Sequence, residues 1–436
     1  MPRLRAVIVF TLLFVLMLLA GVATRLWLST RQTRHVALHR DRVPAEFADR
    51  IGETSHRRAA DYTIARIRFD IVALLFDTAV LIGLTLLGGL QALNELAASL
   101  ASSDFVRQLL LVAMAAALLS LLDLPFTLWR QFVLEARFGF NRMTLRLFAA
   151  DTVKGLALAV VFGLPLLSAL LWLMAGAGTY WWLWGWGLWI VFNLSVMLLF
   201  PTVIAPLFNK FTPLADQALA ERIQALARRT GFALNGLFVM DGSKRSAHGN
   251  AYFTGFGKSK RIVFFDTLLA RLAPEEIEAV LAHELGHFKH RHILKRLMFS
   301  FGVSLVFFAL LGWLSRQVWF YTGLGTAPLL GGHNDGLALI LFFLVAPVFT
   351  FAFIPLASWY SRKHEFEADR FASEQTDPAN LVSALVKLYD DNAATLTPDP
   401  VHSAFYDSHP PAGIRIGRLR TAAPHAAPLD RLQEPA

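Results

Sequence analysis

The 436-residue chain has no cysteine. That excludes disulfides and thiolate metal sites, and it removes redox chemistry as a guide to compartment. Charge is scarce as well: Asp, Glu, Lys and Arg make up 17% of residues, against about a quarter in an ordinary soluble domain. Acidic residues are the scarcer sign, 32 against 41 Lys and Arg, for a net charge of +9. This surplus does not imply a nucleic-acid partner. The arginines flank apolar segments, which is how topology-setting charges are arranged.

What fills the chain is apolar: 55% of residues are hydrophobic. Runs of about 20 such residues are long enough to cross a bilayer as helices. They lie near 6–28, 70–91, 108–129, 152–175, 181–205, 297–320 and 337–360. The expected fold is a mainly α, polytopic membrane protein with about seven transmembrane helices. The first run could serve as a cleaved signal peptide, since "AGVA" supplies small residues. The arginine-rich segment 29–69 that follows resists translocation, so cleavage would strand it outside. With that segment in the cytoplasm, the N-terminus lies outside, each inner loop is basic and each outer loop is nearly neutral. The aromatic run "YWWLWGWGLW" at 180–189 then falls at the outer interface, where such belts anchor a helix.

This topology divides the chain into 1–205 with five spans, a polar cytoplasmic segment 206–296, two spans in 297–360 and a cytoplasmic C-terminal segment 361–436. The tail from 422 reads as disordered in composition. The two polar segments are separated by only two membrane helices, so they can meet.

The chemistry is concentrated in "LAPEEIEAVLAHELGHFKHRH" (272–292). Pro274, Glu275 and Glu276 suit the first turn of a helix. Within that helix His283 and His287 are four apart, so two imidazoles share one face and can grip a tetrahedral metal. Glu284 sits on the flank, where it can take a proton from the attacking water without ligating the ion. A chance H-E-x-x-H in a chain this long is expected only about 0.02 times. Gly286 leaves room for close packing behind the site. His290 and His292 do not complete a longer ligand motif and read as interfacial or solvated.

A catalytic zinc needs a third protein ligand and an open position. "SRKHEFEADRFA" (361–372) offers Glu365 and Asp369, also four apart on one face. Glu365 is the expected ligand and Asp369 the expected brace for a ligating histidine. Glu367 points away from that face, and His364 is the weaker donor. Three short runs, "GLFVMD" (236–241), "GNAYFTGFG" (249–257) and "RIVFFD" (261–266), suggest a small antiparallel sheet. An edge strand through Asn250, Ala251 and Tyr252 would let an extended peptide add by backbone hydrogen bonds.

Taken in order, "SKRSAHGNAYFTGFGKSKRIVFFDTLL", "HELGHFKH", "HEFEADRFA" and "DSHPPAGIRI" resemble the type I CAAX prenyl proteases, integral-membrane zinc peptidases, over nearly the whole chain. The resemblance implies seven helices enclosing a chamber, a zincin-like metalloprotease domain with a small β-sheet, one Zn²⁺ per chain and a monomer. It implies that His409 supports the oxyanion, that Arg415 holds the site together and that Asn250 lies near the bound peptide. The implied substrate is a membrane-associated or lipidated peptide. The arginine-over-lysine bias points to a bacterial inner membrane, where prenylated CAAX proteins are generally lacking. A quality-control protease shares the chemistry and stays open as an alternative. A transporter with a structural metal would not need Glu284. Asp77, Asp123, Asp151, Lys154 and Asn193 fall within or beside spans; such groups face a wet interior or one another. Asp77 and Asp123 are the residues expected to line the chamber.

Overall fold

The structure, a computed structural model, describes residues 2–254, 261–329 and 331–422. Among the described residues six helices are long and apolar enough to cross a membrane, or seven if a bent pair counts as one span. In five of the six, only 6–17% of the apolar window is buried. A helix apolar all round yet exposed needs lipid as its solvent.

The first helix runs from Pro2 to Leu38, well past the expected end near 28. At 1.5 Å per residue it spans roughly 55 Å, more than the ~30 Å of a hydrocarbon core. The surplus is the arginine-rich part, which the sequence reading gave to a loop. Arginine is a good helix former, so the helix carries on once out of the apolar zone. There Arg31 donates two hydrogen bonds to Asp399, at 3.2 and 3.0 Å, and Gln32 accepts from the Asp399 backbone N–H.

The second helix, Glu53–Leu84, breaks by 54° into a helix at Gly89–Leu100. Gly88 makes this corner at φ +80°, a left-handed conformation that glycine adopts without steric cost. The segment "QALNELAASLASSD" (91–104), which falls outside the membrane in the expected topology, is therefore largely helical. Turns of π type interrupt later spans at 130–135, 159–163 and 200–204. Pro125, Pro165 and Pro201 lie at or near them, and a proline lacks the N–H that the regular ladder requires.

The polar segments fold around one core. It joins Phe47 and Ile51, Leu219 and Ile223, the sheet residues Ile262 and Phe264, then Leu281 and Leu285, Phe371, and Ile416. The segments around 211–296 and 361–422 are thus one packed body, as proximity of the two loops required. The sheet has four strands, β1 (Phe211–Pro213), β2 (Leu237–Met240), β3 (Ala251–Thr254) and β4 (Arg261–Phe265), in the order β1-β2-β4-β3. It is mixed, not antiparallel: β2 and β4 run parallel, with Leu237 opposite Ile262. Residues 255–257 of the expected strand lie outside the described residues, as does the tail from 423. Among the described residues β3 pairs only with β4, antiparallel, and forms the sheet edge.

Polar residues of the spans are mostly spoken for. Asp151 takes two hydrogen bonds from Arg245, at 2.9 and 3.1 Å, tying a membrane helix to the polar segment 206–296. Lys154 donates to the Leu207 carbonyl, Asn193 to its own helix at Trp189, and Asp123 accepts from Thr127. Asp77 lines a cavity of about 320 Å³ with Arg25.

Candidate metal centre

Two helices build the site. The metal helix, Pro274–Lys289, starts at a proline whose missing N–H costs nothing in the first turn. Glu276 fixes that start. Its carboxylate accepts from the Ala273 backbone N–H at 2.7 Å, from Ser383 at 2.6 Å and from Lys387 at 2.7 Å. The second helix, Ile354–Gln375, lies directly behind. Gly286 makes this approach possible. A Cβ there would stand 2.9 Å from the Ala368 Cα and 3.1 Å from the Phe371 Cβ.

His283, His287 and Glu365 converge. The two histidine Nε2 atoms are 3.3 Å apart, and Glu365 oxygens lie 3.5 Å from each of them. Ligands ~2.1 Å from a tetrahedral ion are separated by about 3.4 Å. Glu365 Oε2 is buried without a hydrogen-bond partner, and a buried oxygen left so is costly unless a cation takes it up. The donor set fits a divalent metal.

The other ring nitrogens are held from outside. His283 Nδ1 lies 2.8 Å from Asp369 Oδ1, so it donates its proton there and turns Nε2 inward. Asp369 is in turn gripped by the buried Arg415, at 2.8 Å to Oδ2 and 2.5 Å to Oδ1. Burial opposes a charge on His283, yet Asp369 and Glu365 outweigh it and lift its pKa to about 9. An incoming cation would displace a proton there. Burial and the neighbouring His283 hold the His287 imidazole down to about 3. Burial pushes the Glu284 carboxyl upward.

His409 stands at the mouth, with Nε2 3.4 Å from Glu365 Oε1 and most of its side chain exposed. It lines a cavity of about 1100 Å³ that also meets Arg25, Tyr62, Arg66, His248 and Asn250. Asn250 leads into the edge strand, and its side chain accepts from the Ala251 N–H at 2.8 Å. Ala251 packs against the core, and Tyr252 sets its ring edge-on to Phe265.

One expectation fails. His292 is not solvated: it is 3% exposed and meets both His287 and Glu367. Periodicity along one helix could not find this, because a left-handed turn at Arg291 (φ +56°) separates the two histidines.

Residues 32–210 match the family model described as CAAX prenyl protease N-terminal, five membrane helices, and 213–423 match peptidase family M48. The chain belongs to the CAAX prenyl protease family of M48 peptidases. It is 35% identical to a CAAX prenyl protease 1 homolog of Oryza sativa, covering 97% of this chain and 98% of that one. It is 33% identical to CAAX prenyl protease 1 of Saccharomyces cerevisiae, covering 88% and 89%. The crystal structure of S. mikatae Ste24p superposes with a TM-score of 0.88 at 31% identity, over 94% of this chain and 99% of that one. The protein is thus an integral-membrane metallo-endopeptidase acting on peptide or protein substrates.

Proposed function

We propose that the chain is a zinc endopeptidase that cleaves lipidated, membrane-delivered peptides at the cytoplasmic face of a bacterial inner membrane. The observation that carries the metal assignment is the convergence of His283, His287 and Glu365, with the Nε2 atoms 3.3 Å apart and each 3.5 Å from one of the two Glu365 oxygens. Two imidazoles and one carboxylate with a fourth position open are a catalytic zinc set. When bound, the ion supplies Lewis acidity at the scissile carbonyl and at the attacking water.

The chain's own residues do the rest. Glu284 takes the water's proton and later delivers it to the leaving amine; its raised pKa suits both duties. His409, on the cavity side of Glu365, donates to the developing oxyanion, a contact worth about 3–4 kcal/mol in such sites. Asp369 and Arg415 hold His283 in its ligating tautomer. The peptide extends along the outer edge of β3, beginning at Asn250. A lipidated substrate is supported by the names of the relatives and by the cavity, which adjoins the membrane helices. The basic inner loops support the topology.

Purified protein should cleave a prenylated peptide, lose activity with a chelator and regain it with Zn²⁺. Glu284→Gln should keep the metal and lose about 10²–10⁴-fold in kcat. Normal turnover in that variant would remove Glu284 as the base. Equal kcat/KM for prenylated and unprenylated forms of one peptide would remove the lipid from the reading. Because the native chain has no cysteine, single introduced cysteines report topology without background.

A further inference from the structure

A second cluster of metal-binding residue types lies beside the first: His292, His364 and Glu367. Its geometry does not suit a second ion. The His292 and His364 rings are stacked, with centroids 3.9 Å apart and planes 11° from parallel. An imidazole binds a metal in its own plane, along the nitrogen lone pair, so two stacked rings cannot both aim at one ion. Both nitrogens of His292 are also taken. Nδ1 lies 3.0 Å from His287 Nδ1, and Nε2 lies 2.8 Å from Glu367 Oε2.

We propose instead that His292 and Glu367 are positioning residues for the metal, forming a brace on His287 that parallels the brace of Asp369 on His283. The proton order follows from the partners. Glu367 accepts, so His292 carries its proton on Nε2. Its Nδ1 lone pair then accepts the Nδ1–H of His287, which leaves His287 Nε2 free to face the metal. The backbone is arranged for this contact. Arg291 holds φ +56° between the metal helix and the next helix, His292–Leu314. A non-glycine residue in that region is strained, and here the turn folds His292 back onto the residue five before it. His364 stacks on His292 and fixes its plane.

This inference rests on the metal-peptidase reading, so its test reads metal binding directly. The full-length protein in detergent is titrated with Zn²⁺ against a chromophoric chelator, and the Co²⁺-substituted form is followed by its visible spectrum. His292→Leu should weaken Zn²⁺ binding by about 10–100-fold, the usual effect of removing such a partner, and should shift the Co²⁺ bands. His292→Asn, whose Oδ1 can stand in for Nδ1, should recover most of that loss. Glu367 is more exposed, which makes Glu367→Ala a second variant with less risk to folding. It should weaken Zn²⁺ binding about tenfold, while Glu367→Gln, still an acceptor, should not. Wild-type affinity in a folded His292→Leu protein, or equal loss in His292→Leu and His292→Asn, would overturn the brace. A zinc stoichiometry of two that falls to one in His364→Leu would overturn it in favour of a second metal ion. A wild-type protein that binds no zinc would overturn both this inference and the reading beneath it.

Discussion

Gly286→Ala is a one-carbon change that should cost the enzyme metal affinity without unfolding it. The added Cβ would meet the Ala368 Cα at 2.9 Å, and that atom is backbone with no rotamer to give way. Ordinary carbon contacts begin near 3.5 Å, so the two helices must part by roughly 0.6 Å. Metal sites tolerate only about 0.2 Å in their bond lengths. Glu365 rides on the displaced helix, three residues before Ala368, while both histidines ride on the other. Overpacking of this kind costs about 1–3 kcal/mol, partly offset by the ~1 kcal/mol that alanine gains over glycine in a helix. Net stability should therefore fall by no more than about 2 kcal/mol, while Zn²⁺ affinity falls by at least tenfold, about 1.4 kcal/mol. Chelator competition and thermal unfolding of the zinc-free protein separate the two. Wild-type zinc affinity in Gly286→Ala would refute the claim that this contact sets the ligand triangle.

Three further outcomes follow from the same site. Glu365→Ala should release the metal altogether, measured by atomic absorption after dialysis; retained metal would move the third ligand elsewhere. His409→Ala should keep the metal and lower kcat by about 10²–10³-fold, as loss of an oxyanion donor does; loss of zinc with it would make His409 structural. Glu276 has a lowered pKa: burial pushes it up, but Lys387, Ser383 and the Ala273 N–H outweigh that. Its contribution to stability is complete above the unfolded value of 4.5 and is lost as pH falls through the lower folded value. Glu276→Gln should therefore lower Tm at neutral pH and flatten the acid limb of stability below 4.5; an unchanged acid limb would refute the assignment.

Local spacing made much of the site legible. Pro274 opens the metal helix as read, and the pairs His283/His287 and Glu365/Asp369 each share a face because four residues make one turn. The convergence of those faces came from motif order and family resemblance, since nothing local joins residues 78 apart in sequence. His292 and Glu367 escaped for the same reason: a left-handed residue intervenes, and their contact is purely tertiary. The sheet was misread because β2 and β4 are only four and five residues long, too short for alternation to reveal strand direction. The first helix outruns its apolar stretch because clustered arginines end a membrane span and do not end a helix.

The link from Arg31 and Gln32 to Asp399 spans 367 residues or more of chain. It joins the first described helix to a segment synthesised long after it. Glu365 and Arg415 also emerge late, long after the two histidines. During translation, then, a ribosome-tethered chain holds half a site and no clasp on its opening helix. The candidate donor set is complete only once Glu365 has been added to the chain.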